Sequence, residues 1–131
     1  MTTQASSTCG CACSAAPRLV FACSGAADVG ALADQAARLM TREGTGKMFC
    51  LAGVGGRVSG IMKTTEAAAE IVAIDGCPLN CVQKTLQEAG FTAFKHMQLT
   101  ELGFKKGETP VEDAAIRRVA DAAAALLGTQ A

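Results

Sequence analysis

The sequence predicts an α/β protein, a single three-layer αβα domain built on a mostly parallel sheet. The chain has 131 residues, the size of one ordinary domain, and half of them are apolar, which is enough for a core. Short apolar runs alternate with longer segments of helical period, as expected where helical crossovers join parallel strands. We therefore expect a Rossmann-like architecture with about four strands.

Four short apolar runs are predicted to form the strands: residues 19–22, 47–52, 71–74 and 91–99, in chain order. The third run is β-branched and continuously apolar, which is typical of a central strand buried on both faces. The fourth run is more polar, so we expect it at an edge of the sheet.

Segments of helical period follow the strands: residues 28–42, 58–69, 78–88 and 111–127. Asp28 and Gly44 are the predicted cap and stop of the first helix. The second helix has the weakest pattern, because Gly60 interrupts it. Pro78 suits the first position of the third helix, and Gly90 provides its exit.

Residues 1–16 are rich in Ser, Thr, Ala and Cys and are predicted to form a mobile tail ahead of a domain at 17–131. In this tail Cys9, Cys11 and Cys13 alternate along the chain, so an extended backbone would align their thiols on one side. They are candidate auxiliary ligands for Cu(I), for Zn²⁺ or for a site in the domain. A cysteine-rich tail without a structural role is the alternative.

Composition argues against several classes of partner. Twelve basic and twelve acidic residues leave the chain formally neutral, and Trp and Tyr are absent, so nothing favours nucleic acid or an anionic membrane. No apolar run approaches the roughly 20 residues that cross a bilayer, and the first residues lack the pattern of a secretory signal. We expect a cytoplasmic protein; the sequence names no protein or small-molecule partner.

Seven cysteines in a reducing compartment point to metal ligation or thiol chemistry. Cys23 closes the first predicted strand, Cys50 lies in the second, and Cys77 follows the third. The carboxyl ends of parallel strands share one edge of a sheet, so these thiols are expected to meet there. If Pro78 begins a helix, Cys77 sits at its cap and Cys81, four residues on, shares its face.

The sequence therefore predicts a metal site formed by Cys23, Cys50, Cys77 and Cys81. Four thiolates suit tetrahedral Zn²⁺, and they equally suit an iron–sulfur cluster. A thiol-based redox or sulfur-relay protein is a further alternative, as is a binding module that metal only braces. Taken alone, Cys23 and Cys50 are also typical of small buried hydrophobic residues.

Three segments together resemble the DGC-domain family, named for its Asp-Gly-Cys motif: Cys23-Ser24-Gly25, Cys50-Leu51-Ala52-Gly53-Val54-Gly55 and Ala73-Ile74-Asp75-Gly76-Cys77-Pro78-Leu79-Asn80-Cys81. The resemblance covers roughly residues 18–127, and His96 and the stretch 99–103 also look similar to the family. It implies zinc binding through the same four cysteines. The resemblance does not imply a particular reaction.

Three polar residues are candidates to support the cysteines: Asp75, Asn80 and His96. A carboxylate at a strand end is able to orient a neighbouring backbone group or accept a hydrogen bond from a ligand, although Asp-Gly is also a common turn pair. The single histidine is a possible ligand or proton-transfer group, or else a solvated residue on an edge strand.

The glycine-rich stretch 53–56 does not match the nucleotide-binding patterns. A Gly-x-Gly-x-x-Gly pattern would need glycine at position 58, which is Val58, and the chain contains no Gly-Lys-Ser/Thr ending. We expect a tight turn that gives the neighbouring Cys50 room.

Overall fold

A four-stranded parallel sheet lies at the centre of the structure, a computed structural model that describes residues 16–128. The strands are β1 (Arg18–Ala22), β2 (Lys47–Met48), β3 (Glu70–Asp75) and β4 (Lys95–Gln98). Their order across the sheet is β2-β1-β3-β4, and all three neighbouring pairs are parallel. The predicted α/β class is confirmed.

Five α-helices accompany the sheet in the described part of the chain: α1 (Asp28–Glu43), α2 (Leu51–Gly55), α3 (Ser59–Glu66), α4 (Cys81–Glu88) and α5 (Asp113–Leu126). A short 3₁₀ helix, Leu99–Leu102, continues directly from β4. The first helix ends as predicted, because Gly44 adopts the left-handed conformation and its N–H caps the last turn.

Strand residues alternate between two cores, one on each face of the sheet. On one face, Val20 and Ala22 pack with α1 and α5; on the other, Leu19 and Phe21 pack with residues of α2, α3 and α4. The period of two places successive side chains on opposite faces, so each strand contributes to both cores. Helices therefore cover both faces, which gives the predicted three layers.

The central and edge positions follow the apolar content of the strands. In β3 the residues from Ile71 to Asp75 are all buried, and β3 pairs with β1 on one side and β4 on the other. The shorter and more polar β4 lies at an edge of the sheet. Both predictions are confirmed.

Several elements begin or end at positions other than those predicted, and β2, β4 and α5 show why. Strand β2 stops at Met48 instead of residue 52, because Cys50 caps helix α2 and Leu51 is its first residue. Strand β4 covers only Lys95–Gln98, and α5 begins at Asp113 instead of residue 111. In each case the predicted range was too long, because it included apolar residues that lie outside the element.

The strand order creates a topological switch point between β1 and β3, where the connections leave in opposite directions. Backbones pack closely there: a Cβ on Gly30 would lie 2.7 Å from the backbone N and O of Gly25, and one on Gly76 would lie 2.8 Å from the carbonyl carbon of Val29. Glycine is therefore required at Gly30 and Gly76 for close approach. The loops after β1 and β3 therefore both pack against the start of α1.

Within residues 16–128, none of the helices combines the length and apolar character that a bilayer crossing requires.

Two glycine substitutions test the close packing at the switch point. Gly30→Ala should destabilise the fold by roughly 1 to 3 kcal/mol, since the added methyl group meets rigid backbone. Gly60→Ala is the matched control: it also lies in a helix, its added methyl group meets nothing within 4 Å, and it should stabilise by about 0.5 to 1 kcal/mol. Urea unfolding measures both changes, and equal effects of the two substitutions would contradict the packing argument.

Candidate thiol site at the carboxyl edge of the sheet

Four free cysteines lie at the carboxyl edge of the sheet. Cys23 directly follows β1, Cys50 follows β2 at the N-cap of α2, Cys77 follows β3, and Cys81 is the first residue of α4. Cys50 and Cys81 are exposed, whereas Cys23 and Cys77 are half-buried. The backbone N–H of Cys23 donates to the carbonyl oxygen of Ile74 at 3.1 Å, which places it beside the end of β3.

The Asp75 carboxylate holds the Asp-Gly-Cys segment in place. Its side chain is 1% exposed, and its two oxygens accept hydrogen bonds from the backbone N–H groups of Val82 at 2.7 Å and Gln83 at 3.1 Å. These donors belong to the first turn of α4, so Asp75 satisfies N–H groups that a helix start leaves free. Asp75 is thus a remote helix cap that fixes the loop carrying Cys77.

His96 supports this carboxylate from the neighbouring strand. Its Nε2 atom lies 2.9 Å from Oδ2 of Asp75, and its side chain is 20% exposed. His96 pairs with Ala73 in the sheet register, so β4 delivers the imidazole to the end of β3. The histidine therefore contacts the Asp-Gly-Cys motif through Asp75.

Helix α4 begins at Cys81, so the predicted start at Pro78 was wrong. Asn80 precedes it in the left-handed conformation with φ of 52°, and its Oδ1 accepts a hydrogen bond from Nε2 of Gln98 at 3.0 Å. Asparagine tolerates this conformation better than most residues. Cys77 consequently lies in the loop before the helix, and the predicted stacking of Cys77 and Cys81 on one helical face does not occur.

A distant lysine contacts the half-buried thiol of the motif. Nζ of Lys106 lies 3.6 Å from Sγ of Cys77, in hydrogen-bond geometry. The loop that carries Lys106 is anchored by Asp28, whose carboxylate accepts hydrogen bonds from the N–H groups of Gly107 and Thr109, each at 2.9 Å. The predicted cap of α1 at Asp28 was wrong: Ala27 is the N-cap, and Asp28 is the first residue of the helix. Its carboxylate instead holds the loop that carries Lys106, called the lysine loop below.

These backbone donors lower the pKa of Asp28 from its ordinary value of 3.8, with the hydrogen bond from Gly107 as the largest cause and that from Thr109 next. Each donor stabilises the carboxylate and not the acid form. The lysine loop is therefore held by an anion at neutral pH.

Cys23 and Cys50 line a cavity of about 1050 Å³ at the carboxyl ends of β1 and β2. Ser24, which follows Cys23, has φ of 54°, and its Oγ donates to Oδ1 of Asp34 at 2.7 Å. A left-handed conformation in a residue other than glycine is strained and needs support from its surroundings. Both strained positions beside cysteines, Ser24 and Asn80, lie in loops of this edge.

The glycine-rich stretch after Cys50 forms helix α2 and not the predicted tight turn. Sγ of Cys50 accepts a hydrogen bond from the N–H of Gly53 at 3.4 Å, and so caps this helix. A Cβ on Gly53 would lie 2.1 Å from a methyl carbon of Ile61, so glycine here allows α3 to pack against α2. Cys50 thus lies at a helix start, outside the strand in which it was predicted.

A single ion bound by four thiolates would need all four sulfurs at about 2.3 Å from it. Among residues 16–128, no group of three or more His, Cys, Asp or Glu side chains is placed to hold a metal ion. Cys23 and Cys50 line the cavity, whereas Cys77 and Cys81 are not among its lining residues. As they are positioned, the four cysteines do not fit a four-thiolate zinc site or an iron–sulfur cluster, and that site stays a prediction.

The predicted auxiliary ligands Cys9, Cys11 and Cys13 lie outside the residues that the structure describes. The predicted boundary between tail and domain at residue 16 likewise stays a prediction.

Sequence reasoning missed Lys106 and the arginines of the cavity. Lys106 lies 29 positions from Cys77 in the chain, in a loop without periodicity, so no local pattern connects them. Arg38 and Arg42 both line the cavity, and because they are four residues apart on α1 they lie on the same face of that helix. That spacing was the one available signal, and their position beside Cys23 depends on the packing of α1.

The fold and its edge define a class of protein: a parallel α/β domain that presents free cysteines on the loops after its first three strands. The chain belongs to the DGC family, since the model of the DGC domain matches residues 19–123. The resemblance drawn from the Asp-Gly-Cys segment is thereby confirmed.

The chain is also similar to the anaerobic and virulence modulator AnvM of Pseudomonas aeruginosa strain PAO1. The two are 40% identical over 88 residues, which is 67% of this chain and 67% of that protein. No solved structure matched this chain.

Asp75→Asn tests the remote cap. The amide has one acceptor oxygen in place of two, so a buried N–H at the start of α4 loses its partner, and we expect a loss of about 1 to 3 kcal/mol in unfolding free energy. Asp113→Asn makes the same change at the exposed first turn of α5 and should cost less than about 1 kcal/mol. Urea unfolding of both variants measures the two losses of unfolding free energy, and equal losses would rule out the capping role.

Asp28→Asn tests the anchor of the lysine loop. We expect faster hydrogen exchange at the amides of Gly107 and Thr109, because the charged acceptor is gone. The folded pKa of Asp28 lies below 3.8, so its contribution to stability is complete above the unfolded value and is lost as the pH falls through the folded value. The stability difference between wild type and variant should therefore shrink below about pH 4; a difference independent of pH would contradict this assignment.

Proposed function

We propose that this protein is a thiol-based redox modulator whose cysteines at the carboxyl edge cycle between thiol and disulfide. One observation carries the proposal: four free thiols lie on loops and helix starts of the same edge, and two of them are exposed. Cysteines kept only for packing are usually buried in the core. Exposed thiols on loops beside helix starts are instead open to reagents.

Hydrogen-bond donors face two of the sulfurs. Lys106 donates to Cys77, and the N–H of Gly53 donates to Cys50. A nearby cation or backbone N–H is a setting in which thiolate chemistry is common, since the thiolate is the nucleophile and carries a negative charge. Cys77 and Cys50 are therefore the cysteines that we expect to react first.

The chemistry balances with a peroxide as oxidant. A thiolate attacks one peroxide oxygen and becomes a sulfenic acid while the other oxygen leaves as water. A second thiol then attacks the sulfenic sulfur, forms the disulfide and releases a second water. Two thiols lose two electrons in total, and the peroxide takes them up.

The relative's name supports a regulatory outcome for this chemistry. AnvM is described as an anaerobic and virulence modulator, and a thiol pair that responds to oxidants is one physical means to distinguish aerobic from anaerobic conditions. We propose the same class of role for this chain, with the cytoplasm as its compartment because reduced cysteines persist there.

Lys106→Gln tests the proposal at Cys77. In reduced protein treated with hydrogen peroxide, oxidation of Cys77 should slow by roughly threefold, because the variant removes the cation beside the sulfur. Cysteine-resolved mass spectrometry after differential alkylation measures each site, and dithiothreitol should restore the thiols. Lys105→Gln is the matched control, a neighbouring exposed lysine of the same loop, and it should leave the rate unchanged. Edge cysteines that stay fully alkylatable after peroxide would refute the redox function.

Zinc binding by Cys23, Cys50, Cys77 and Cys81 is the second candidate, favoured by their shared edge. It requires the sulfurs to come closer together, because among residues 16–128 no three such side chains are placed to hold a metal ion. Metal analysis of protein purified under reducing conditions separates the candidates. About one equivalent of zinc, lost in the Cys77→Ser, Cys81→Ser double variant, would establish the zinc site and displace the redox proposal.

A further inference from the structure

The cavity beside Cys23 and Cys50 has the size and composition of a small-molecule site. Its volume of about 1050 Å³ suits a ligand of metabolite size. It opens at the carboxyl ends of β1 and β2, and Met48 and Phe49 contribute apolar surface to its wall. The thiol of Cys50 is exposed there, so a ligand in the cavity reaches a sulfur atom.

The charged lining of this cavity favours an anion. Arg38 and Arg42 of α1 both line it, with Asp34 as the one acidic residue among the lining residues. Asp34 is already paired, since its Oδ2 lies 2.7 Å from Nε of Arg38 and its Oδ1 accepts from Ser24. The salt bridges found among residues 16–128 do not include Arg42. The guanidinium of Arg42 is thus available to a ligand, and guanidinium groups bind carboxylates through paired hydrogen bonds.

We infer that the cavity binds a low-molecular-weight disulfide that carries carboxylates, and that Cys50 forms a mixed disulfide with it. The inference rests on the proposed redox function and names the reagent class for one of its cysteines. Arg42 holds a carboxylate of the ligand, the apolar wall takes its carbon chain, and the exposed Cys50 meets its sulfur–sulfur bond. Neither the guanidinium of Arg42 nor the thiol of Cys50 alone specifies this class of ligand, but both residues line the same cavity.

The exchange step conserves atoms and electrons. The thiolate of Cys50 attacks one sulfur of the ligand, a new bond forms between Cys50 and that sulfur, and the ligand's own disulfide bond breaks. The second half of the ligand leaves as a thiolate and takes up a proton from solvent. Cys50 is oxidised and the leaving half is reduced, so no other oxidant is required.

Two disulfides of opposite charge test the inference on the full chain. Glutathione disulfide is net negative and cystamine is net positive; each is incubated with reduced protein, and mixed disulfides are quantified by mass spectrometry at Cys50 and at Cys81. Cys81 is exposed but is not among the residues that line the cavity, so it serves as an internal reference. We expect the ratio of glutathione disulfide to cystamine rates to be roughly fivefold higher at Cys50 than at Cys81.

Variants at Arg42 assign this preference to the cavity. Arg42→Gln should reduce the ratio at Cys50 to that at Cys81, while Arg42→Lys, which keeps the charge, should retain most of it. Lys63→Gln removes an exposed positive charge outside the cavity and should change nothing. A ratio equal at both cysteines, or one insensitive to Arg42→Gln, overturns the inference while leaving peroxide-driven oxidation intact. Edge cysteines inert to both disulfides and to peroxide would instead overturn the redox function itself.

Discussion

The loops at the carboxyl edge of the sheet depend on one buried carboxylate, that of Asp75. Asp75 ends the central strand and accepts hydrogen bonds from two N–H groups of α4, while His96 of the edge strand contacts one of its oxygens. A polar group taken out of water is costly unless new hydrogen bonds replace those to water, and the two N–H donors supply them. Together with the contact from His96, they tie β3, β4 and α4 to one point. The loop between Asp75 and Cys81 therefore has both ends fixed, and Cys77 lies between them.

The cysteines of the carboxyl edge fall into two pairs, one that lines the cavity and one that does not. Gly30 and Gly76 bring the loops after β1 and β3 against the start of α1, where doubly wound folds often leave a ligand crevice. Cys23 and Cys50 line the open cavity at the ends of β1 and β2. Cys77 and Cys81 follow β3 outside that lining, and Lys106 contacts Cys77.

Local patterns predicted most of the fold, and long-range contacts account for what they missed. The β-branched run of β3 and the apolar face of α1 carry their own periodicity, so the central strand and the first helix were predicted closely. The start of α4 was not, because its N–H groups are capped by Asp75, seven and eight positions earlier in the chain. Likewise, Lys106 reaches Cys77 through a loop that Asp28 anchors from 79 and 81 positions away. The sequence could place the cysteines on one edge, but their neighbours depend on packing.

The shortness of β2 limits the backbone groups that this side of the sheet exposes for pairing with another chain. An edge strand exposes unpaired backbone groups that can template pairing with another chain, and natural proteins shorten or charge such strands. Here one edge offers only the two residues Lys47 and Met48, and the other offers four residues that begin with Lys95. Strand addition in either direction gains few hydrogen bonds. Strand addition is therefore a poor route for a binding partner at either edge of the sheet, and contact through helices and loops is favoured instead.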